Sequence, residues 1–345
     1  MEYYAGLDVS LRSVSICVIN GEGKIAFELS VACEVDVIAS TLAKVSLPIT
    51  RIGFEAGTMS QPLFYGLKEQ HGFDVVCMEA RQVNAALSAM RNKTDKNDAR
   101  GITQVLRSGC YSPVHMKSRL SHAMRTLLSS RKACLRKCID LANEVRGLLK
   151  IYGLRLPERI KHTRFDATVR PFIEASPDLS LALVPLLDAR LALLQAYQEL
   201  DKRVKHAAST NAVCLRLMEI PGVGPMTALA FVAAVDDPAR FKSSRTVATH
   251  FGLTPRRFQS RETENPGRIS KAGDMEVRST LYTAANAMLT HCTGRSSIKS
   301  WGMRLMRTKR RRRAVVAVAR KLAIVMHRMW ADDTSSCRDG LEVAA

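Results

Sequence analysis

Four carboxylates carry the clearest chemical signal in this chain: Asp8, Glu55, Asp95 and Asp98. Asp8 lies in Gly6-Leu-Asp8-Val-Ser, and in a strand its apolar neighbours Leu7 and Val9 turn to the opposite face. A carboxylate placed there is costly unless a cation or hydrogen bonds satisfy it. Glu55 closes the run Arg51-Ile-Gly-Phe-Glu55 and is followed by Gly57, where the chain can approach another group closely. Asp95 and Asp98 stand three apart in a helical stretch and so share a face. These are hard oxygen donors with no His or Cys among them, a set suited to Mg²⁺ or Mn²⁺ rather than zinc. Two such ions about 4 Å apart clamp the attacking and leaving oxygens of a phosphodiester. Each acid also has an ordinary alternative. Asp8 could end a strand, Glu55 could pair with Arg51 or Lys93, and Asp95 or Asp98 could cap the helix after Lys93-Thr94.

The strands and helices that carry these acids are legible in outline. Residues 3–10, 13–20 and 24–32 read as three strands, with the hairpin signal Gly21-Glu-Gly23 between the last two. A helical pattern follows at 34–46, a strand at 51–55, a helix at 60–71, a short buried strand at 73–78 and a helix at 95–108. A three-strand meander followed by alternating helices and strands predicts an α/β layer architecture. The order fits the ribonuclease H-like fold, which places acids on its first and fourth strands and on a late helix.

From about 115 to 205 the texture changes to Leu and Ile recurring at helical intervals among Arg and Lys. This predicts two long helices, an antiparallel coiled coil, with Pro157 and Pro171 interrupting the middle. The apolar stripe could bury against the protein's own core or against another copy. The region 211–330 opens on Ile220-Pro-Gly-Val-Gly224, continues through a polar loop at 254–274 and ends in a basic helix; residues from 333 on read as a loose tail. The expected domains are therefore 1–112, 113–210 and 211–332, with a tail at 333–345.

Charge points to the partner. Lys and Arg total 52 against 32 Asp and Glu, a net +20 that calls for a polyanion, and nucleic acid is the usual one. Gly222 and Gly224 resemble the hairpin of a helix-hairpin-helix unit, whose backbone N–H groups reach a phosphate; an ordinary turn between helices reads equally well. Arg256, Arg257 and Lys271 surround several serines, any of which could attack phosphorus with cations stabilising the developing charge. Arg310, Arg311, Arg312 and Arg313 repel one another, so a phosphate ladder explains them better than a solvated face. The nine cysteines show neither disulfide nor zinc spacing, the N-terminus has no leader pattern, and no apolar stretch is expected to approach membrane length. The expected location is cytoplasmic, with no membrane partner.

Taken in order, Gly6-Leu-Asp8, Phe54-Glu55-Ala-Gly57, Asn92-Lys-Thr-Asp95-Lys-Asn-Asp98-Ala-Arg100, Ile220-Pro-Gly-Val-Gly224, Gly252-Leu-Thr-Pro-Arg256 and Ser270-Lys-Ala-Gly273 resemble the DEDD transposases of the IS-one-ten insertion-sequence family, the bridge recombinases that include the Piv DNA invertase. The resemblance covers nearly the whole chain. It implies a RuvC-like N-terminal domain, a coiled-coil insertion and a mostly helical C-terminal transposase domain. The family's four acids fall on Asp8, Glu55, Asp95 and Asp98, and its nucleophilic serine, after the Thr-Pro-Arg-Arg segment, on Ser260. The resemblance further implies DNA partners (element ends and target), a noncoding guide RNA, a homo-oligomer (dimer or tetramer) and action at the bacterial nucleoid. Where many relatives follow the glutamate with Thr-Gly, Glu55 precedes Ala56, Gly57 and Thr58. The alternatives are a site-specific invertase of the same family and a RuvC-like nuclease that uses water.

Overall fold

In the computed structural model the described residues are 2–88, 94–260, 263–294 and 296–334; at 257–260 and 263–266 the description covers the backbone alone. The chain divides into two compact units, Met1–Lys117 and Ser118–Ala345.

The first unit is built on a five-stranded sheet. Strands β1 (Tyr3–Val9), β2 (Ser13–Asn20) and β3 (Ile25–Ala32) form an antiparallel meander. After α1 (Val35–Lys44), strand β4 (Ile49–Glu55) pairs parallel to β1. Helix α2 (Ser60–Tyr65) runs into a π-helical turn at Gly66–Gln70, and β5 (Val75–Met78) pairs parallel to β4. Helices α3 (Ala80–Leu87) and α4 (Asp95–Ser108) follow. The sheet order β3-β2-β1-β4-β5 is the ribonuclease H-like arrangement expected from the sequence. Period-2 alternation sorts the faces. Ala5, Leu7, Ile16, Ile52 and Phe54 are buried on one face with Ile38 and Leu42 of α1 and Leu63 of α2. Gly6 and Gly53 face α4: a Cβ on Gly6 would lie 2.2 Å from Thr103 Oγ1, and one on Gly53 2.7 Å from Leu106 Cδ1. The two glycines let the helix sit directly on the sheet. The sequence pattern predicts neither α3 nor the break that ends α2 at Tyr65, since it reads 60–71 as one helix.

The second unit is mostly helical. Helices α5 (Arg119–Ile151) and α7 (Pro177–Ser209), 33 residues each, run antiparallel: Arg131 pairs with Asp201 at 2.5 Å, while Val145 and Leu149 share a core with Leu183 and Leu187. Helix α6 (Phe165–Glu174) packs on that core and contains Pro171, which does not interrupt it as expected. A larger core gathers α8 (Ala212–Met218), α9 (Pro225–Val235) and α10 (Ser244–His250). The chain then forms a β-hairpin, β6 (Pro255–Ser260) and β7 (Thr263–Ile269), before α11 (Met275–Thr290), α12 (Ser297–Thr308) and α13 (Arg311–Ala331). The segment expected as a polar loop at 254–274 is thus largely paired. Its Pro266 is tolerated because a two-stranded ribbon has only edge strands.

The expectation that no stretch approaches membrane length needs correction. Helix α7 carries an 18-residue window of mean hydropathy 1.5, long and apolar enough to cross a membrane by length and composition. Its apolar side packs on α5 and α6, and Arg190 sits fully buried on it beside Asp166. One side of α7 is thus buried, while 28% of the apolar window as a whole is buried.

Candidate active site

Register brings the acids to one end of the sheet. The last aligned pair between β1 and β4 is Leu7↔Phe54, so Asp8 and Glu55 stand one residue beyond it on neighbouring parallel strands. Each lies two residues past a glycine that faces α4, so both belong to the α4 face. Helix α4 runs opposite to β1. Its later residues Gln104 and Arg107 reach the carbonyls of Gly23 and Gly21, beside the N-terminal end of β1. Its first turn, with Asp95 and Asp98, therefore lies toward the carboxyl ends of β1 and β4. Asp95, Ala99, Ile102 and Leu106 fall on one helical stripe, and the last three are buried against the sheet.

Local interactions decide between the ordinary alternatives. Thr94 is the N-cap of α4, its side chain accepting from the Asn97 N–H at 3.2 Å, so neither aspartate performs the cap. Arg51 pairs with Asp74 at 2.6 Å rather than with Glu55. Lys93 lies outside the described residues, as does Asn92. Glu55 Oε1 accepts from the Asn84 side-chain amide of α3 at 3.0 Å, a contact no sequence signal announced. Asp8 is opposite Ser15 on β2, whose hydroxyl bonds Ser30 on β3 at 2.9 Å, so a polar row continues from the acid across the meander.

Among the described residues no three His, Cys, Asp or Glu are gathered closely enough to hold an ion. The acids share an edge without closing into a cage. Strands lie about 4.8 Å apart, so carboxylates at matched positions repel unless a cation stands between them. Oxygen-only donors at such a juncture fit a hard divalent ion.

In the second unit the two glycine motifs brace one another. Gly252 (φ +64°) and Gly273 (φ +69°) face opposite turns: a Cβ on Gly252 would lie 2.4 Å from the Ala272 N, and one on Gly273 1.9 Å from the His250 O. Arg278 Nη1 donates to the Phe251 and Ala272 carbonyls at 3.0 and 2.8 Å, tying the turns from which the β6–β7 hairpin rises. Ser260 pairs with Thr263 at the tip of that hairpin, and the side chains of Ser260 and Arg257 lie outside the described residues. Arg256 donates to the Ser270 carbonyl at 3.3 Å, and Lys271 is exposed at φ +55°. Gly222 (φ +87°) lies against the backbone of α11, where a Cβ would come within 2.7 Å of the Ala284 O, whereas Gly224 opens onto free space. Arg310 is the N-cap residue of α13 and Arg311, Arg312 and Arg313 form its first turn, all exposed. Cations at this positive helix end oppose the macrodipole as well as each other.

Two family models match this chain, a DEDD-type transposase model over residues 5–153 and one described as the transposase IS116/IS110/IS902 family over residues 214–301. The transposase for insertion sequence element IS1111A of Coxiella burnetii (strain RSA 493 / Nine Mile phase I) is 33% identical over 247 residues, 70% of this chain and 66% of that protein. A chain named as a transposase in Sinorhizobium fredii (strain NBRC 101917 / NGR234) is 32% identical over 256 residues, 71% of this chain and 64% of its own length. The chain thus spans a little under two thirds of these two relatives. The structure of Thermus thermophilus RuvC aligns with 32% of this chain and 99% of its own, at 15% identity and a TM-score of 0.27.

Proposed function

The chain belongs to the IS116/IS110/IS902 family of DEDD transposases, and from that premise we propose that it cuts and rejoins the DNA strands of an insertion element. The observation that carries this reading is the convergence of Asp8, Glu55 and the first turn of α4 on one end of the sheet. Asp8, Glu55, Asp95 and Asp98 would hold divalent ions, Mg²⁺ or Mn²⁺, which when bound stabilise charge on the oxygens around the scissile phosphorus. Asn84 orients Glu55 for that task, as outer residues do for ligating carboxylates.

Ser260 is the nucleophile in this proposal. Its Oγ forms a bond to phosphorus as a bridging P–O bond breaks, and the departing strand end takes the proton as a free hydroxyl. Joining reverses the step, with a hydroxyl of another strand displacing Ser260. One phosphodiester-like bond is exchanged for another, so no outside energy source is needed. Arg256, Arg257 and Lys271 stabilise the phosphate, and the acid-bearing unit of a second copy completes the site. Arg310 to Arg313, Gly222 and Gly224 contact nucleic-acid backbone. A net charge of +20 supports binding of DNA together with a noncoding guide RNA.

The test incubates full-length protein with its flanking RNA, Mg²⁺ and DNA carrying the element ends, and resolves products on a denaturing protein gel. A protein–DNA adduct in wild type, lost in Ser260→Ala and in Asp95→Ala, is the expected result. Cleavage without adduct that persists in Ser260→Ala would replace the serine with water and make the protein a RuvC-like nuclease.

A further inference from the structure

We propose that Glu28 on β3 is a positioning residue that holds the acid-bearing start of α4 against the sheet. The inference rests on the acid-site reading above and extends it to a residue outside the four acids.

Glu28 is paired with Cys17, which is paired with Gly6, so all three lie in one row on the α4 face. The Glu28 side chain is 15% exposed and spends both oxygens on α4. Arg100 Nε reaches Oε1 at 2.5 Å and Arg100 Nη2 reaches Oε2 at 2.9 Å, a two-pronged contact, while Lys96 Nζ lies 3.0 Å from Oε2. The Arg100 hydrogen bonds hold the carboxyl at about 2, well below its ordinary 4.5, with Lys96 adding to the effect. Lys96 and Arg100 are one helical turn apart on the flank of α4 that faces the meander. Asp95 and Asp98 alternate with them on the flank toward β1 and β4. Two cations gripped by one carboxylate fix both the rotation and the height of the helix start. Rotation decides whether Asp95 and Asp98 face the strand ends that bear Asp8 and Glu55. Thr103, which donates to the Cys17 carbonyl at 3.2 Å, pins the next turn.

The experiment follows Mn²⁺ binding through the paramagnetic resonance signal of the free ion and maps amide hydrogen exchange along the full chain. Wild type is compared with Glu28→Gln, Arg100→Gln, the double variant and Asp95→Asn. Mn²⁺ affinity is expected to fall about tenfold in Glu28→Gln, the size usual for residues that orient metal-binding carboxylates. The double variant is expected to bind no more weakly than Glu28→Gln alone, because the two residues act as one unit. Exchange is expected to rise over 95–103 while β1 and β4 stay protected. Were Glu28→Gln to misfold, Arg100→Gln carries the same expectation from a side chain that is 38% exposed.

Wild-type affinity in Glu28→Gln, with binding lost in Asp95→Asn, overturns the clamp and leaves the acid site standing. Weakened binding accompanied by exchange rising through β1 and β4 marks general destabilisation and also overturns it. No binding in wild type, or binding that survives Asp95→Asn, overturns the acid reading itself.

Discussion

At the scale of single residues, the energetics turn on charges that must be matched. Glu28 illustrates the sign. Arg100 holds its folded-state value at about 2 against an ordinary 4.5, so its stabilisation is whole above about 4.5 and is lost as pH falls through about 2. Exchange in the first turns of α4 should therefore rise on acidification across that window, ahead of the neighbouring strands. Arg190 is the more severe case. It is fully buried, bonds Asp166 and the His162 carbonyl, and lies 4.6 Å from the Phe165 ring centre. Arg190→Ala would strand the Asp166 carboxylate and is expected to cost about 3–5 kcal/mol in denaturant unfolding. Replacing Arg190 with Met and Asp166 with Leu together should recover most of that loss. Asp8 stands out in the sequence because a carboxylate within an apolar strand is anomalous, and Asp95 and Asp98 because they stand three apart on one helix face. Glu28 does not, because an acid in the alternating, half-exposed strand β3 looks like an ordinary solvent-facing residue until Lys96 and Arg100 are seen above it.

At the scale of elements, close approach is the governing constraint. Helix α4 can reach β1 because Gly6 has no side chain, and an added Cβ would meet both Oγ1 and N of Thr103, at 2.2 and 2.6 Å. Since backbone cannot yield as a flexible side chain can, Gly6→Ala is expected to cost about 1–3 kcal/mol or more in stability. It should also impair cleavage by displacing Asp95 and Asp98. Element order and sheet type followed from period and turn residues, which made the ribonuclease H-like arrangement readable. The β6–β7 hairpin was not, because its polar composition and Pro266 imitate a loop and its support comes from afar. Gly252, Gly273 and Arg278 brace it through contacts that only the fold creates. The one-residue offset from Leu7↔Phe54 that sets Asp8 beside Glu55 is likewise a fact of register, invisible to spacing along the chain.

At the scale of the whole molecule, an excess of 20 positive charges predicts that the proposed nucleic-acid binding falls with salt. Replacing Arg310 to Arg313 with Gln should reduce the slope of log affinity against log salt by up to about 3.6, near 0.9 for each phosphate no longer neutralised. Sequence preference should stay unchanged, because backbone contacts carry no base information. The same variant should raise the stability of the free protein slightly, since these cations oppose the dipole of α13.

If Asp8, Glu55, Asp95 and Asp98 form one metal-dependent centre, nicking of element-end DNA responds to a single acid-to-amide change at any of them. Each of the four, assayed at equal Mg²⁺ and shown by circular dichroism to be folded, is predicted to lose cleavage about a hundredfold or more, as removal of several kcal/mol of transition-state stabilisation requires. A chelator should abolish wild-type cleavage, and DNA binding should persist throughout. Wild-type nicking by folded Asp8→Asn or Asp95→Asn, or nicking indifferent to the chelator, would rule out one metal-dependent centre built from these acids.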